Sequence, residues 1–187
     1  MKTEDLIALL AHDATPIKRR ALPMRLGLFA LAGAVAAFVI LIPWLGIRPD
    51  LAVAVTGSTY WMKTFYTLGV GVAGFALAER LSRPGAKGRL GWTLAALFVL
   101  AILTIAVSQL MSTSPGQIRA VFMGSSWDKC PWLILLLSLP GLAVILLTMR
   151  RFAPTRPALA GAAAGLLAGG VGATVYGLHC QEVAAPF

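Results

Sequence analysis

The chain has 187 residues, 58% of them hydrophobic and only 12% charged, with a formal net charge of +9. Soluble domains average about 45–50% apolar and about 25% charged residues, so this balance excludes a disordered tail, a disulfide-stapled secreted module and an ordinary soluble enzyme. A basic excess also marks nucleic-acid binders, but in so apolar a chain it fits basic loops flanking membrane helices, and two cysteines are too few for a disulfide scaffold or an all-cysteine zinc site.

At the N-terminus, residues 4–11 (Glu4-Asp5-Leu6-Ile7-Ala8-Leu9-Leu10-Ala11) follow Thr3, a suitable N-cap. Glu4 and Asp5 fall in the first turn, where the helix dipole favours acids. Leu6, Ile7 and Leu10 share a face, with Leu9 beside it, and Pro16 ends the segment. A helix of about two turns is not stable alone in water. It either folds into a partner's groove or lies on the inner leaflet, with Lys18, Arg19 and Arg20 near anionic lipid.

A spanning helix needs about 20 apolar residues, because hydrocarbon is roughly 30 Å thick. Five stretches are predicted to span: 26–47, 60–78, 90–110, 131–149 and 157–178. Ala34-Val35-Ala36 has the small-x-small form of a cleavage site, but it lies mid-run and is read as uncleaved. In the second stretch Lys63 is an ionisable residue inside a span, a functional candidate by default. It also lies near the outer boundary, where its long stem lets it snorkel. Gly69, Gly71 and Gly74 thin this span. Residues 81–91 form a basic turn, not a phosphate loop.

After the third stretch, Pro115-Gly116 signals a turn. Ile118, Val121 and Phe122 predict a short helix resting on the membrane. Pro140-Gly141 predicts a kink in the fourth stretch. In the fifth, Gly161, Gly165 and Gly169 recur every four residues; such a face lets helices approach closely, within the bundle in preference to a dimer seam. Backbone in lipid must satisfy itself internally, and the alternation of barrel strands is absent. The expected fold is therefore an all-α bundle of five spans over 26–187, preceded by a cytoplasmic interaction segment over 1–25.

Twelve of the 16 Lys and Arg lie in residues 1–25, 79–90 and 150–158, on one side of the bundle; Arg48, Lys63, Arg119 and Lys129 lie on the other. The positive-inside rule then predicts a cytoplasmic N-terminus. Trp44, Trp61, Trp127 and Trp132 fall at outer ends and Trp92 at an inner one, as interfacial anchors do. This topology puts Cys130 and Cys180 on the outer face. In an oxidising compartment they form a permanent disulfide, stay as unpaired thiols, or act as a redox-responsive pair. With His179 they are candidate ligands for a soft metal, and Asp128 and Glu182 flank them symmetrically. No nucleophile elbow, zinc-protease motif, P-loop or dinucleotide fingerprint is present. His12 and His179 fall on opposite sides, so neither an enzyme nor a cofactor is expected. A small metal-handling or transport protein is the alternative to a regulator.

Several short runs together resemble the NrsF-type anti-sigma factors. They are Met1-Lys2-Thr3-Glu4-Asp5-Leu6-Ile7 with Leu9-Leu10-Ala11, Lys63-Thr64-Phe65-Tyr66-Thr67-Leu68, Arg80-Leu81-Ser82-Arg83-Pro84-Gly85, Trp127-Asp128-Lys129-Cys130-Pro131 and Leu178-His179-Cys180. Their order and spacing cover nearly the whole chain. The resemblance implies a bacterial inner-membrane negative regulator of an extracytoplasmic-function sigma factor. It implies that Glu4, Asp5, Leu6, Ile7, Leu9 and Leu10 hold the sigma factor. It also implies that Cys130 and Cys180 sense metal or oxidative stress from the periplasm, without direct nucleic-acid contact. Members of that family usually carry a sixth span after the His-Cys motif; five are expected here.

Overall fold

The computed structural model describes residues 3–5, 7, 21–83, 88–124, 126–152 and 154–181. Between residues 21 and 176 it contains seven α-helices and, among the described residues, no strand. They are α1 (Ala21–Trp44), α2 (Leu51–Ala54), α3 (Ser58–Leu81), α4 (Arg89–Met111), α5 (Ile118–Met123), α6 (Cys130–Arg150) and α7 (Pro157–Tyr176). A 3-10 turn, Pro115–Gln117, leads into α5, so both the turn and the short helix predicted there are present.

All five predicted spans are helices, with shifted ends. Helix α1 begins at Ala21, with Pro23 in its first turn, where a missing N–H leaves no bond unmade. It ends at Trp44, before Gly46 at φ 74°. Helix α3 runs past its apolar stretch to include Glu79 and Arg80, because its backbone ladder continues regardless of side-chain polarity. Pro140 sits inside α6, which is continuous from Cys130 to Arg150.

Four of the five, α1, α4, α6 and α7, are long and apolar enough to cross a membrane. Helix α3 matches them in length but carries Lys63, Glu79 and Arg80 and a run of hydroxyl residues. Its buried face is made of Gly69, Gly71, Ala73, Gly74, Leu77, Ala78 and Leu81. Large apolar side chains such as Leu31, Val39, Leu100, Leu103 and Leu147 are more than half exposed, an outer surface that water does not favour. The five tryptophans are exposed as well, four at one end of the bundle and Trp92 at the other.

Helix α7 is the hub, packing on α3, α6 and α1; α6 also packs on α1, while α4 rests chiefly on α3. Close approach explains the glycines at these seams. A Cβ on Gly170 would sit 2.5 Å from the Gly71 backbone, and one on Gly33 would sit 2.8 Å from Gly141 Cα. The stripe Gly161, Gly165 and Gly169 corrects the expectation of internal packing: Cβ atoms there would meet nothing within 4 Å, so this face is open. Gly170 and Gly172, on the other face, make the contacts inside the bundle.

Two apolar cores sit one above the other. The first gathers Leu22, Leu26, Leu77, Leu81, Met149 and Ala160 at the end where Arg80, Arg83, Arg89, Arg150, Arg151 and Arg156 cluster, here the basic end. The second gathers Ala37, Leu41, Leu137, Cys130 and Tyr176 at the opposite, cysteine end.

Candidate functional site

Sequence reading points to two places, the N-terminal segment and the cysteine end. In the first, Thr3, Glu4, Asp5 and Ile7 are helical and exposed. Leu6, Leu9 and Leu10 lie outside the described residues. Ile7 is 60% exposed, so an apolar side chain that could enter a partner's groove is uncovered in the isolated chain.

At the cysteine end, chain alternation brings together the start of α6, the end of α7 and the loop after α1. Cys130 is the first residue of α6, held by its N–H to Ser126 O, and is 2% exposed. Tyr176, the last residue of α7, donates its hydroxyl to Cys130 Sγ at 3.2 Å. Cys180 is partly buried against the same core. No disulfide joins the two cysteines.

The loop from 45 to 50 clasps the segment that carries Cys180. Arg48 N–H donates to Leu178 O (3.1 Å), and Arg48 Nη1 donates to Cys180 O (3.0 Å). Arg48 Nη2 pairs with Asp50 Oδ2 at 2.7 Å, and Gln181 Nε2 donates to Asp50 Oδ1 at 3.1 Å. The hydrogen bond from Arg48 and its nearby charge lower the Asp50 carboxyl to about 2, and the same bond raises the Arg48 guanidinium above its ordinary value. His179 Nδ1 lies 3.0 Å from Gly46 O, so this nitrogen carries the proton and donates to the carbonyl.

Among the described residues, no group of three or more His, Cys, Asp or Glu is arranged to hold a metal ion. His179 is drawn to the Gly46 carbonyl and stacks near Tyr176, and Asp128 is exposed; Glu182 lies outside the described residues. The two thiols are brought to one end and one core.

Between α3, α6 and α7 a cavity of about 430 Å³ opens beside the cysteines. Cys130, Cys180, Tyr176 and Arg48 line one wall, and Lys63 and Tyr66 the other. Lys63 therefore faces the interior of the bundle's end. Thr174 Oγ1 donates to Thr67 Oγ1 at 3.0 Å across the α3–α7 seam, and Thr67 Oγ1 donates to Lys63 O at 3.1 Å. The sequence reading did not single out Arg48, Asp50, Tyr176 or Gln181. For Arg48 and Asp50 the visible signal was the Arg48-Pro49-Asp50 run between two apolar stretches.

The fold and this site define a class: an all-helical protein with four membrane-length helices, a basic end, and a thiol pair at the other end. The chain matches the family described as "Negative regulator of sigma F" over residues 10–187 and belongs to that family, NrsF. It is 47% identical over 184 residues to the "Anti-sigma-F factor NrsF" of Caulobacter vibrioides, covering 97% of this chain and 86% of that protein. It is 42% identical over 189 residues to the "Probable anti-sigma-F factor NrsF" of Azospira oryzae, covering 100% of this chain and 88% of that protein. No solved structure matches the chain.

Proposed function

We propose that the chain is an anti-sigma factor that holds an extracytoplasmic-function sigma factor at the inner membrane and releases it under metal or oxidative stress. Membership of a family described as a negative regulator of sigma F carries this reading. The N-terminal segment is the sigma-binding element, with Leu6, Ile7, Leu9 and Leu10 as its apolar face and Glu4 and Asp5 as its acidic start. The thiols of Cys130 and Cys180 are the sensor. It acts as a regulator and needs no catalytic step.

Helix α1 is the physical link between the two. Its Trp44 end leads into the loop that clasps the Cys180 segment, and its Ala21 end leads toward residues 3–11. Chemistry at the cysteines that shifts Cys180 moves this clasp, and with it the far end of α1. Such coupling requires two states that differ in contacts at both sites.

Co-purification tests the binding half. A sigma factor should accompany the wild-type chain from native membranes and be lost with Leu6→Asp plus Leu10→Asp; undiminished recovery removes the N-terminal assignment. A Cys130→Ser, Cys180→Ser double variant should keep the sigma factor but no longer release it on exposure to metal or oxidant. A normal response in that variant excludes the cysteines.

A further inference from the structure

The end of the bundle opposite the thiols concentrates positive charge. Leu22, Leu81, Met149 and Ala160 share one core, so the start of α1, the end of α3, the end of α6 and the start of α7 meet there. Arg25, Arg80, Arg150, Arg151 and Arg156 stand exposed around these four helix ends. Glu79, the carboxylate that α3 brings to this end, already pairs with Arg83 at 2.6 Å. No salt bridge among the described residues takes up the five exposed arginines. Helix C-termini account for Arg80 and Arg150, which lie in last turns where a cation is favoured. They do not account for Arg156, which precedes Pro157 at the start of α7, where the helix dipole opposes a cation. Neither α1 nor α7 has an acid in its first turn to offset this.

These arginines are held close to the helix ends. The connection 151–156 between α6 and α7 is short, and its start is fixed. Arg151 N–H donates to Thr148 O at 3.2 Å, Phe152 N–H donates to Met149 O at 3.0 Å, and the Phe152 ring packs on the core below. Ala160 N–H donates to Arg156 O at 3.0 Å, which ties Arg156 to α7. Trp92, exposed near the start of α4, marks the same level, since tryptophan collects at membrane interfaces. An acidic protein has to reach down to this depth, whereas the phosphate of a lipid headgroup already lies at it. Every described cation at this end is an arginine. A planar guanidinium grips phosphate through two parallel N–H···O bonds, a geometry that lysine lacks.

We propose that this rim binds the headgroup of an anionic phospholipid, with Arg151 and Arg156, at the two ends of one short connection, as the grip on its phosphate. The phosphate offsets like charges that the fold crowds together, and so ties the helix ends to one another. The acyl chains run down the exposed apolar faces below. The site rests on the membrane reading of the chain and is independent of the sigma-factor reading and of the thiols.

Lipid retention tests it. The full chain is purified in dodecylmaltoside, and phosphatidylglycerol or phosphatidylcholine with the same acyl chains is added. Native mass spectrometry counts retained lipid, and tryptophan fluorescence follows thermal unfolding. Phosphatidylglycerol should be retained saturably and raise the melting temperature; phosphatidylcholine should do neither. Arg151→Gln plus Arg156→Gln should weaken retention by about 10- to 100-fold in lipid concentration, as the loss of two membrane-surface cations implies. Both positions are exposed, so the change leaves the core intact. Arg119→Gln, at an exposed arginine of the other end, should change nothing, which separates this site from the general attraction of a basic protein. Inorganic phosphate should not displace the lipid, because it lacks the acyl anchor. Equal retention of the two lipids, equal loss in Arg119→Gln, or displacement by inorganic phosphate overturns the proposal. So does undiminished retention in the double variant; if that variant instead loses a co-purifying sigma factor, the rim is a protein-docking surface.

Discussion

Arg48 connects more of the cysteine end than any residue chosen from sequence. It ties its own loop to Leu178, Cys180 and Asp50 in one step. The consequence for Asp50 has a definite sign. Its carboxyl ionises at about 2 in the fold against an ordinary value of 3.8, chiefly through the hydrogen bond from Arg48. Whatever this pair contributes is present above pH 3.8 and is lost as pH falls through about 2. A carbon-detected NMR titration of the Asp50 carboxyl should give a midpoint near 2, and Arg48→Leu should move it to near 3.8. A wild-type midpoint already at 3.8 would show that the clasp does not persist in the membrane. Lys63 was visible in sequence as an odd charge inside a span. Its meaning, cavity wall and not only a snorkelling stem, depends on which neighbours face it.

Helix seams separate two kinds of glycine that look alike in sequence. Gly165 belongs to the evenly spaced stripe, yet a side chain there meets open space; Gly170 belongs to no obvious repeat, yet its Cα face abuts Gly71. Gly170→Ala should therefore destabilise the chain in detergent by about 1–3 kcal/mol, the usual penalty for overpacking a close seam. Gly165→Ala should leave the melting temperature unchanged or raise it slightly, since alanine is favoured over glycine in helices by about 0.5–1 kcal/mol. Thermal unfolding of the two variants side by side checks this. Equal losses would mean that the stripe is covered by something in the folded protein. Spacing alone cannot distinguish the two faces, because both satisfy the same helical period.

The whole molecule is polar in the sense of having two unlike ends. Most described arginines gather at one end, while Arg48, Arg119, the thiols and four of the five tryptophans lie at the other. Lys and Arg bias predicts that the basic end faces the cytoplasm. In intact cells and a cysteine-free background, Asp128→Cys should react with a membrane-impermeant maleimide, and Arg151→Cys should react only after lysis. Both positions are exposed, so burial does not confuse the result. Reversed labelling would put the thiols inside and remove the periplasmic sensor. Such a two-ended plan suits a regulator: the proposed input and output lie at opposite ends, and α1 runs between them.

The existence and order of the five long helices were legible in the residues, because 20 or so consecutive apolar positions have few other stable homes. So was the partition of charge, which depends only on counting between spans. The placement of Cys130 and Cys180 at one end followed from the same counting. Their surroundings did not follow. That Tyr176 reaches Cys130, that Arg48 holds the Cys180 backbone, and that the polar face of α3 encloses a cavity all require helices far apart in sequence to meet at one angle and rotation. Uniformly apolar helices carry little information about that rotation, since every face suits lipid. Close glycine contacts and a few hydrogen bonds decide it, and those are pairings between elements, which no single stretch of sequence contains.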